Sequence, residues 1–588
     1  PSPRVRGELA DSPASSPLPV GFGCMRLSTE PDRDDDRSLA TLEAAIDAGA
    51  RLLDTAPSYG LDASDQHHNE RLVARAVAAH PAANIAISTK GGLYREGRAW
   101  VPDGRAKAIR TSCEASLEAL GGLPIDLYLL HTVDPRTPIA TSARVLAELA
   151  RQGLVRRVGL SNVNVTQIRE AREHVDIAAV QIAVSPLDLT AVRGGVLRTC
   201  AELGIEVHAH SPFGGPKRAA RLGRDAVLRQ LAEKYATTPH GVVVAWLRAM
   251  GVAPLPGTRT PERAAAAVRA AHITLEDTDR QELIAHFSWA DSAVSRTVPA
   301  RDGEVVLVMG IQAAGKSERV GALVDRGYSR LNRDLLGGTL RGIAQRLDEM
   351  AKAGASRFVL DNTYVSRASR AEVVAKASKH GLPVRCVFVD TPIDQAQINA
   401  IERLRARYGY VPGPDELRAL VRSDPQAFAP TAQLRMKRDL EPPAEDEGFA
   451  AIERVGFERR PRSGPTSAAL IVEHRALAAS APGALAALVA SSGAARALVF
   501  AWDEGGSVEH ARAKIDAHPA AAELGVYDVA MCPHAGGPPT CWCRPPLPGL
   551  LVSWLAEHAI DPARSTLIGT HPAHDAMARA LGMTAIRR

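Results

Sequence analysis

Apolar and polar positions alternate in a regular rhythm over the first half of the chain. Between residues 18 and 285, short apolar runs are each followed by a stretch with the apolar spacing of an amphipathic helix. The apolar runs include ARLLDTA, NIAISTK, DLYLLH, VRRVGLS, AAVQIAV and IEVHAHS. Strands that alternate with helices in this way form a parallel sheet. About 270 residues of the pattern predict a closed (β/α)8 barrel of the TIM type.

Two further α/β blocks follow the predicted barrel. After a polar linker at 288–303, the apolar strand VVLVMG opens a block that extends over 304–460. A third block, 467–588, opens with apolar strands and ends in a strand–helix–strand pattern. The Pro/Ser-rich segment 1–17 is predicted to be a flexible tail. The sequence therefore predicts an α/β protein of three domains, with the barrel at 18–287.

The composition excludes several classes of protein. Apolar residues make up 45% and charged residues 23% of the 588 residues, the balance of an ordinary folded protein. A net charge of +5 is too small to predict nucleic-acid binding over the whole surface, so any basic groove must be local. The chain shows no apolar signal segment, and its most apolar stretch, 481–502, contains Arg496, so no membrane partner is expected. Seven cysteines do not suggest a disulfide framework, which favours the cytoplasm.

Four polar residues stand at or near the predicted carboxyl ends of barrel strands, where the chemistry of such barrels takes place. These residues are Asp54, Tyr59, Lys90 and His131. An ammonium group lowers the pKa of a neighbouring phenol, so Tyr59 beside Lys90 suits a general acid. Asp54 would hold the lysine in place, and the histidine would orient a carbonyl oxygen.

The first block resembles the aldo-keto reductases over nearly the whole of 18–285. The resemblance rests on GFGCMRL, LLDTAPSYG, STKGG, LLHTVD, GLSNV, SPFGG and LPGTRTPE, in that order. It implies hydride transfer from a nicotinamide cofactor to a small aldehyde or ketone, with Tyr59 as the proton donor and Asp54, Lys90 and His131 as its partners. An alternative is a barrel that has lost activity and serves as a scaffold.

The same resemblance implies where the cofactor would bind. It assigns the nicotinamide and the phosphates to Ser161, Asn162, Gln181, Ser211, Gly257, Thr258 and Arg259. The guanidinium of Arg259 would pair with a 2′-phosphate and so favour NADP(H). Ala266 and Ala267 replace the Glu-Asn that family members often carry near the adenine, which would weaken cofactor binding.

The second block begins with a phosphate-binding motif. GIQAAGKS at 310–317 follows the strand VVLVM and precedes a predicted helix, the context that G-x-x-x-x-G-K-[ST] requires. Gly310 and Gly315 let backbone N–H groups face the β-phosphate of ATP. Lys316 would bridge the β- and γ-phosphates, and Ser317 would hold Mg²⁺.

A kinase that acts on a hydroxyl group also needs a base and charge stabilisation. Asp334, in LNRDLLGG, is placed to be the base, and Asp361 ends a second strand, where it could orient the acceptor or the metal. An arginine-rich helix suits a lid over the phosphates, with Arg403, Arg405 and Arg407.

NRDLLG, LDNTYVSRASR, GLPVRCVFVDTP and LEPPAEDEGF resemble the kinase module of polynucleotide kinase/phosphatases over about 305–460. The resemblance implies ATP-dependent phosphorylation of a 5′-hydroxyl on RNA or DNA. It casts Asp334 as the general base and Arg403 as the preferred lid arginine. Asp361 and Arg370 are the expected acceptor-binding residues. A small-molecule alcohol is the alternative acceptor.

The third block contains a metal-binding pattern. Cys532, His534, Cys541 and Cys543 supply four ligands within twelve residues, which suits a closed, structural Zn²⁺ site. MCPHAGGPPTCWCRPP and LIGTHPAHDAMARALGM resemble the zinc-loop branch of haloacid-dehalogenase-type (HAD-like) phosphatases. That family needs an Asp-x-Asp pair after its first strand. With LVF taken as that strand, Ala501 occupies the nucleophile position, and a shifted register places Asp503 there but Gly505 at the acid position, so an inactive domain is expected.

Kinase and phosphatase-like folds in one chain favour an enzyme of nucleic-acid repair. The kinase would phosphorylate 5′-hydroxyl ends, RNA favoured over DNA, for a downstream ligase, and the reductase would act on an aldehyde at damaged ends. An alternative is a bifunctional metabolic enzyme that reduces a carbonyl compound and phosphorylates the resulting alcohol. In a third hypothesis the barrel and the last domain are binding scaffolds for the kinase.

Overall fold

The computed structural model describes residues 20–289, 301–424, 426–459, 467–537 and 539–588. The chain divides into two units, Pro1–Val294 and Ser295–Arg588. The predicted tail at 1–17, most of the predicted linker at 288–303 and the segment 460–466 lie outside the described residues.

An eight-stranded parallel sheet forms the centre of the first unit, in the order β1-β2-β3-β6-β7-β8-β9-β10. The sheet closes next to its last strand, because the backbone N–H of Gly23 donates to the carbonyl oxygen of Pro256 at 3.0 Å. The predicted barrel is therefore confirmed. β4 and β5 form a separate antiparallel hairpin after β3. The strands of this unit are β1 (Gly21–Gly23), β2 (Leu52–Asp54), β3 (Ala86–Gly91), β4 (Leu93–Glu96), β5 (Ala99–Pro102), β6 (Ile125–Leu130), β7 (Val155–Ser161), β8 (Ala179–Ala183), β9 (Glu206–His210) and β10 (Ala253–Pro254).

Helices connect the barrel strands, and their apolar faces pack in one core with the strands. Local signals begin several of them: Thr238 accepts from the backbone N–H of Gly241 at 3.0 Å, and Pro239 takes the first position of the helix. The helices are α1 (Asp35–Asp47), α2 (His68–Ala79), α3 (Ala106–Ala119), α4 (Ile139–Arg151), α5 (Val165–Arg172), α6 (Thr190–Arg193), α7 (Val196–Leu203), α8 (Pro216–Leu222), α9 (Ala226–Lys234), α10 (Pro239–Ala249), α11 (Pro261–Ala270) and α12 (Asp277–Phe287).

The second unit contains two parallel five-stranded sheets. In the first of them the order is β12-β13-β11-β14-β15. The central strand is buried on both faces, which explains its unbroken apolar run VVLVM. Its elements are β11 (Glu304–Met309), α13 (Lys316–Asp325), β12 (Ser329–Leu331), α14 (Arg333–Leu336), α15 (Leu340–Lys352), β13 (Arg357–Asp361), α16 (Arg367–Lys379), β14 (Val384–Asp390), α17 (Ile393–Tyr408), α18 (Pro414–Ser423), α19 (Pro430–Asp439) and β15 (Ala451–Gly456).

The last sheet has the order β18-β17-β16-β19-β20, so its first strand in the sequence is also its central strand. That strand ends at Glu473, and the LVF strand is the second. The sequence-based choice of LVF as the first strand was therefore wrong. The elements are β16 (Ala468–Glu473), α20 (His474–Ala479), α21 (Ala484–Ser492), β17 (Ala494–Trp502), α22 (Val508–Asp516), α23 (Pro519–Ala522), β18 (Tyr527–Cys532), α24 (Gly549–Glu557), β19 (Thr566–Gly569), α25 (Pro572–Leu581) and β20 (Thr584–Arg587).

The two sheets of the second unit share a hydrophobic core. Helix α17 packs against α24 and α25. Its residues Ile401 and Leu404 lie in one buried cluster with Leu551 and Leu555. The second and third blocks are therefore joined by continuous packing.

Among the helices in the described parts of the chain, none combines the length and the apolar character that crossing a membrane requires.

Candidate active sites and metal centre

A buried lysine organises the first candidate site, at the carboxyl ends of β2 and β3. The Nζ of Lys90 donates to both carboxylate oxygens of Asp54, at 2.9 and 2.8 Å. It also donates to the phenol oxygen of Tyr59 at 3.1 Å and to the carbonyl oxygen of Thr55 at 2.8 Å. The structure therefore brings the predicted Asp, Tyr and Lys together in one hydrogen-bonded group.

Burial controls the protonation of this group. Burial raises the pKa of Tyr59, and the charge of Lys90 opposes that rise. For Lys90 itself, burial favours the neutral amine, but the carboxylate of Asp54 outweighs it and the pKa is raised. Tyr59 is therefore a protonated phenol beside a charged ammonium group. That arrangement suits proton donation to an oxygen that gains negative charge.

His131 completes the group from the end of β6. Burial and the neighbouring charge of Lys90 hold the pKa of His131 well below its usual range, so the imidazole is neutral. Its ring meets the Tyr59 ring edge-on at 5.7 Å, and its Nδ1 is a buried atom without a hydrogen-bond partner among the described residues. A neutral imidazole facing Tyr59 can donate a hydrogen bond to a substrate oxygen.

Trp100 is a site residue that the sequence analysis missed. It lies on β5 of the hairpin, and its ring is 6.3 Å from the rings of both Tyr59 and His131. The guanidinium of Arg95 stacks on it at 3.4 Å. The hairpin therefore forms an aromatic wall above the proton donor. The available signal was a tryptophan in the polar segment between two barrel units, in a chain with only 4% aromatic residues.

The predicted nicotinamide residues lie at the carboxyl ends of neighbouring strands. Asn162 donates to the carbonyl oxygen of His131 at 3.0 Å and to the hydroxyl of Ser161 at 3.1 Å. Gln181 donates to Asp54 at 2.7 Å, so it touches the catalytic group directly. Asn162 and Ser211 both have positive φ, which turns the chain sharply at the strand ends. These side chains form a polar rim beside Lys90, which fits an amide-bearing ring.

The phosphate end of the predicted cofactor site contains an ion pair that the sequence did not reveal. A Cβ on Gly257 would lie 2.8 Å from the carbonyl oxygen of Gly23, so only glycine fits at this position without a shift of the backbone. Thr258 follows it at the surface. Arg259 pairs with Asp32 at 2.5 Å and lies 3.8 Å from Glu30. The guanidinium predicted to bind a 2′-phosphate is thus already neutralised by carboxylates.

The second candidate site is a cavity of about 1450 Å³ around the phosphate-binding motif at 310–317, which we call the P-loop. Gly315 takes a φ of +93° and initiates α13, the helix that carries Lys316 and Ser317. Lys316 donates to the carbonyl oxygens of Gly310 and Ile311 at 3.0 and 2.8 Å. Burial lowers the pKa of Lys316 to about 8. The loop, the ammonium group and the helix N-terminus together suit a polyphosphate.

Asp334 lies on the wall of this cavity, exposed on the short helix α14. Asn332 positions that helix: its side chain accepts from the N–H of Leu335 and donates to the carbonyl oxygen of Asp361. Asp361 is buried and forms a two-pronged ion pair with Arg330, at 3.1 and 2.6 Å. The sequence analysis missed Arg330, which sets the orientation of Asp361 in the cavity.

The predicted arginines divide between the cavity and other places. Arg403 lines the cavity. Arg405 instead donates to backbone carbonyls of α24, including Val552 at 3.2 Å, and Arg407 pairs with Asp424. Both are therefore corrections to the predicted lid.

Arg370 is a further correction. It is completely buried, and its guanidinium forms a two-pronged pair with Glu447 at 2.7 and 2.8 Å. Its Nη1 group donates to the carbonyl oxygens of Tyr364 and Glu441. This buried arginine links separate segments of the fold and does not line the cavity.

The four predicted metal ligands form a compact cluster, which we call the metal centre: Cys532, His534, Cys541 and Cys543. Their ligand atoms lie within 4.8 Å of one another. The sulfur–sulfur distances from Cys532 are 3.7 Å to Cys541 and 3.5 Å to Cys543. A tetrahedron with Zn–S bonds of about 2.3 Å has edges of about 3.8 Å, so the donors fit zinc. Hydrogen bonds from Cys532 and Cys543 lower the pKa of Cys541, which favours a thiolate there.

The carboxyl end of the last sheet differs from the prediction. Its central strand ends at Glu473, whose carboxylate accepts from the hydroxyl of Thr570 at 2.9 Å and contacts His474 at 2.9 Å. Ala501 is on the neighbouring strand, so it does not hold the central position assigned to it. A glutamate held by a threonine occupies that position.

Comparisons with known proteins identify the family of the unit that contains the first site. A model described as the aldo/keto reductase family matches residues 19–286. An uncharacterised oxidoreductase of Schizosaccharomyces pombe is 30% identical over 264 residues, 44% of this chain and 82% of that protein. Aldo-keto reductase str7 of Strobilurus tenacellus is 31% identical over 297 residues, 44% of this chain and 85% of that protein. The chain belongs to the aldo/keto reductase family and is an oxidoreductase of that class.

Solved structures and a second family model extend the comparison. The glycerol dehydrogenase AKR11B4 of Gluconobacter oxydans is 25% identical, with a TM-score of 0.40 over 48% of this chain and 94% of that one. The aldo-keto reductase AKR2E4 of Bombyx mori, solved in complex with NADP, is 24% identical, with a TM-score of 0.39 over 46% and 88%. A model described as an AAA domain matches residues 305–417, which identifies a P-loop-type domain there.

Proposed function

We propose that the barrel reduces a small aldehyde or ketone, with Tyr59 as the proton donor. The observation that carries this proposal is the buried hydrogen-bonded group in which Lys90 contacts both Asp54 and Tyr59. Lys90 stabilises the phenolate that remains after proton transfer, and Asp54 keeps the lysine charged. His131, which is neutral, orients the carbonyl oxygen towards the phenol.

A nicotinamide bound beside this group would supply the hydride. Ser161, Asn162 and Gln181 fit the amide of such a ring, because they offer both donors and acceptors next to the catalytic lysine. We favour NADP(H), since Arg259 can turn from Asp32 to a 2′-phosphate, which offers it a stronger, two-pronged interaction. The hairpin residue Trp100 would shield the substrate from water.

A Tyr59→Phe variant tests the proposal, with NADPH and 4-nitrobenzaldehyde as a probe substrate. The variant removes only the phenol oxygen, so kcat should fall by about 10²–10⁴ while the Kd for NADPH stays within twofold. Tyr235→Phe is the matched control, because it removes a phenol that donates to Asp279 at 2.5 Å in the same unit. Equal rates for both variants and the unmodified protein would contradict Tyr59 as the donor.

The P-loop cavity supports a second function, ATP-dependent phosphorylation of a hydroxyl group. Lys316 is buried with a pKa lowered to about 8, a cost that a bound polyphosphate would relieve. Ser317 lines the same cavity and would hold Mg²⁺, and Asp334 on the cavity wall would accept the hydroxyl proton. The acceptor we favour is a 5′-hydroxyl end of RNA, over DNA, which a downstream ligase would then join. A small-molecule alcohol is the other candidate.

Transfer of labelled γ-phosphate from ATP to a 5′-hydroxyl RNA decamer tests this function. Asp334→Asn should lower the transfer rate by about 10²–10⁴ and leave ATP binding unchanged, because Asp334 acts on the acceptor. Asp325→Asn, an exposed aspartate at the end of α13, is the control. Binding of ATP without transfer to RNA or DNA would favour the small-molecule acceptor.

For the last sheet we propose a structural zinc site in an inactive phosphatase-like domain. The metal centre has four protein donors, which leaves no coordination position for substrate. Glu473 takes the place of the expected nucleophilic aspartate and is already engaged by Thr570. The protein as a whole would then combine a reductase, a kinase and a domain that supports the kinase. Its cellular setting, nucleic-acid repair in the cytoplasm, is our working hypothesis.

A further inference from the structure

A series of contacts connects the metal centre with the P-loop cavity. Trp542 lies between Cys541 and Cys543 in the sequence and is completely buried. Its indole Nε1 donates to the carbonyl oxygen of Phe428 at 3.1 Å, and its ring meets the Phe428 ring edge-on at 5.7 Å. Phe428 lies between α18 and α19 of the P-loop block. The loop that carries two metal ligands therefore contacts Phe428 of the P-loop block through Trp542.

Phe428 in turn lies against the cavity arginine. The guanidinium carbon of Arg403 is 5.4 Å from the centroid of the Phe428 ring. The same guanidinium donates to the carbonyl oxygen of Gln426 at 3.3 Å, two residues earlier in the chain. Both contacts come from the one short segment that Trp542 anchors.

Arg403 itself has the features of a side chain that binds an anion. Its Nε is buried without a hydrogen-bond partner among the described residues. Burial lowers the pKa of Arg403, and the charge of Asp334 opposes this. It shares the cavity wall with Lys316. A long, flexible side chain stabilises a transition state only if it is held in place beforehand, so its supports matter for rate.

The metal centre can provide that support. A metal held by both Cys541 and Cys543 fixes the backbone on either side of Trp542, and loops of this kind lose order when the metal leaves. The backbone N–H of Gly549 also donates to the carbonyl oxygen of Trp542 at 3.1 Å, which ties the tryptophan to the start of α24. The backbone of Trp542 is therefore tied to α24 and flanked on both sides by metal ligands, and its indole extends from there to Phe428.

We propose that Trp542 is a positioning residue for Arg403, and that the metal centre thereby supports phosphoryl transfer in the P-loop cavity. The inference rests on the proposed kinase function. It predicts that disturbing Trp542 or the metal lowers kcat for phosphoryl transfer, whereas KM and Kd for ATP change little. Lys316, which the proposed function assigns to the nucleotide, donates to Gly310 and Ile311 of its own loop and not to the tryptophan.

A double-mutant cycle tests the proposal, with ATP and the 5′-hydroxyl RNA decamer as substrates. We expect Arg403→Ala to lower kcat by about 10²-fold, comparable with the loss of one preorganised donor. Trp542→Ala should lower kcat by about tenfold, and the double variant should be no slower than Arg403→Ala alone. Trp542→Phe keeps a ring against Phe428 and should recover part of the rate. Trp554→Phe is the control, because its indole donates to Asp528 instead, at 2.9 Å.

A second readout does not depend on turnover. Removal of zinc with a chelator should increase amide hydrogen exchange around Phe428 while the central strand β11 stays protected. Unchanged exchange at Phe428 would overturn the link to the metal centre. The positioning role would be overturned if the reductions in kcat caused by Trp542→Ala and Arg403→Ala multiplied in the double variant. It would also be overturned if Trp542→Ala and Trp554→Phe lowered kcat equally. Lys316→Ala distinguishes failure of the positioning role from failure of the proposed kinase function. If this variant still transfers phosphate at the normal rate, the kinase function itself is wrong.

Discussion

At the scale of single residues, the reductase site depends on Lys90. A lysine ammonium with no exposure to water is tolerable only because Asp54 accepts two of its hydrogen bonds. The same charge keeps Tyr59 ready to lose a proton and helps to keep His131 neutral. Burial is the larger influence on the pKa of both groups that would contact the substrate oxygen, and the buried cation acts against it at Tyr59 and with it at His131.

These protonation states predict the pH dependence of reduction. Tyr59 is active as the protonated phenol, and burial raises its pKa, so kcat/KM should be constant from about pH 6 and fall only above about pH 10. His131 has a lowered pKa and adds no transition in that range. The measurement is kcat/KM for 4-nitrobenzaldehyde at saturating NADPH. A decline centred near pH 7 would show that one of these two assignments is wrong.

The ion pair between Arg259 and Asp32 predicts how the cofactor site discriminates between NADPH and NADH. Asp32 competes with a 2′-phosphate for the guanidinium, so Asp32→Asn should tighten NADPH binding by about fivefold, the size of an exposed ion pair. NADH binding should not change, since it has no 2′-phosphate. Fluorescence titration gives both Kd values, and Asp36→Asn, an exposed acid on α1, is the control. Equal gains for NADH and NADPH would contradict this role.

At the scale of elements, strand ends and helix starts position the chemistry. In the barrel, polar residues follow buried strands, and in the second unit a positive-φ glycine turns a strand into helix α13. These positions are predictable from sequence because both depend on local spacing. Trp100 and Arg330 were not predicted, because a hairpin docked over a barrel and a cross-strand ion pair depend on contacts between distant segments.

The P-loop predicts a pH-dependent affinity for ATP. Lys316 in the free protein has a pKa of about 8, so its charge is lost as the pH rises through that value. ATP requires the charged form, and its Kd should therefore increase by nearly tenfold for each pH unit above about 8. Adenosine, which lacks phosphates, should bind equally at pH 7 and pH 9. A constant Kd for ATP over this range would mean that Lys316 stays charged.

At the scale of the whole molecule, the barrel and the P-loop cavity belong to different units, whereas the metal centre and the P-loop cavity belong to the same one. Periodicity predicts the barrel, whereas motif spacing predicts the P-loop strand–helix junction and the metal ligands. Periodicity did not identify β16 as the first strand of the last sheet, because an apolar run of five residues gives the same signal at any position in a sheet. The shared core around α17 could not be predicted from the sequence either, since packing between blocks leaves no local pattern of residues.

Removal of the metal should therefore affect one unit and not the other. Cys543→Ser should lower the Tm of the second unit by several degrees and leave the unfolding transition of the barrel in place. Aldehyde reduction should be unchanged. Calorimetry with a zinc assay provides the measurement, and Cys386→Ala, a buried cysteine outside the metal centre, is the control for zinc content. If reductase activity were lost together with zinc, the prediction that the two units function independently would be wrong.

Hydride transfer by the barrel to a carbonyl, with Tyr59 as the acid, can be measured by following the hydride itself. NADPH carrying deuterium at the transferred C4 position is incubated with 4-nitrobenzaldehyde, and the alcohol is analysed by mass spectrometry. We expect an alcohol with one deuterium from the unmodified protein and a yield at least about 10²-fold lower from Tyr59→Phe. An alcohol without deuterium, or an undiminished yield from Tyr59→Phe, would contradict it.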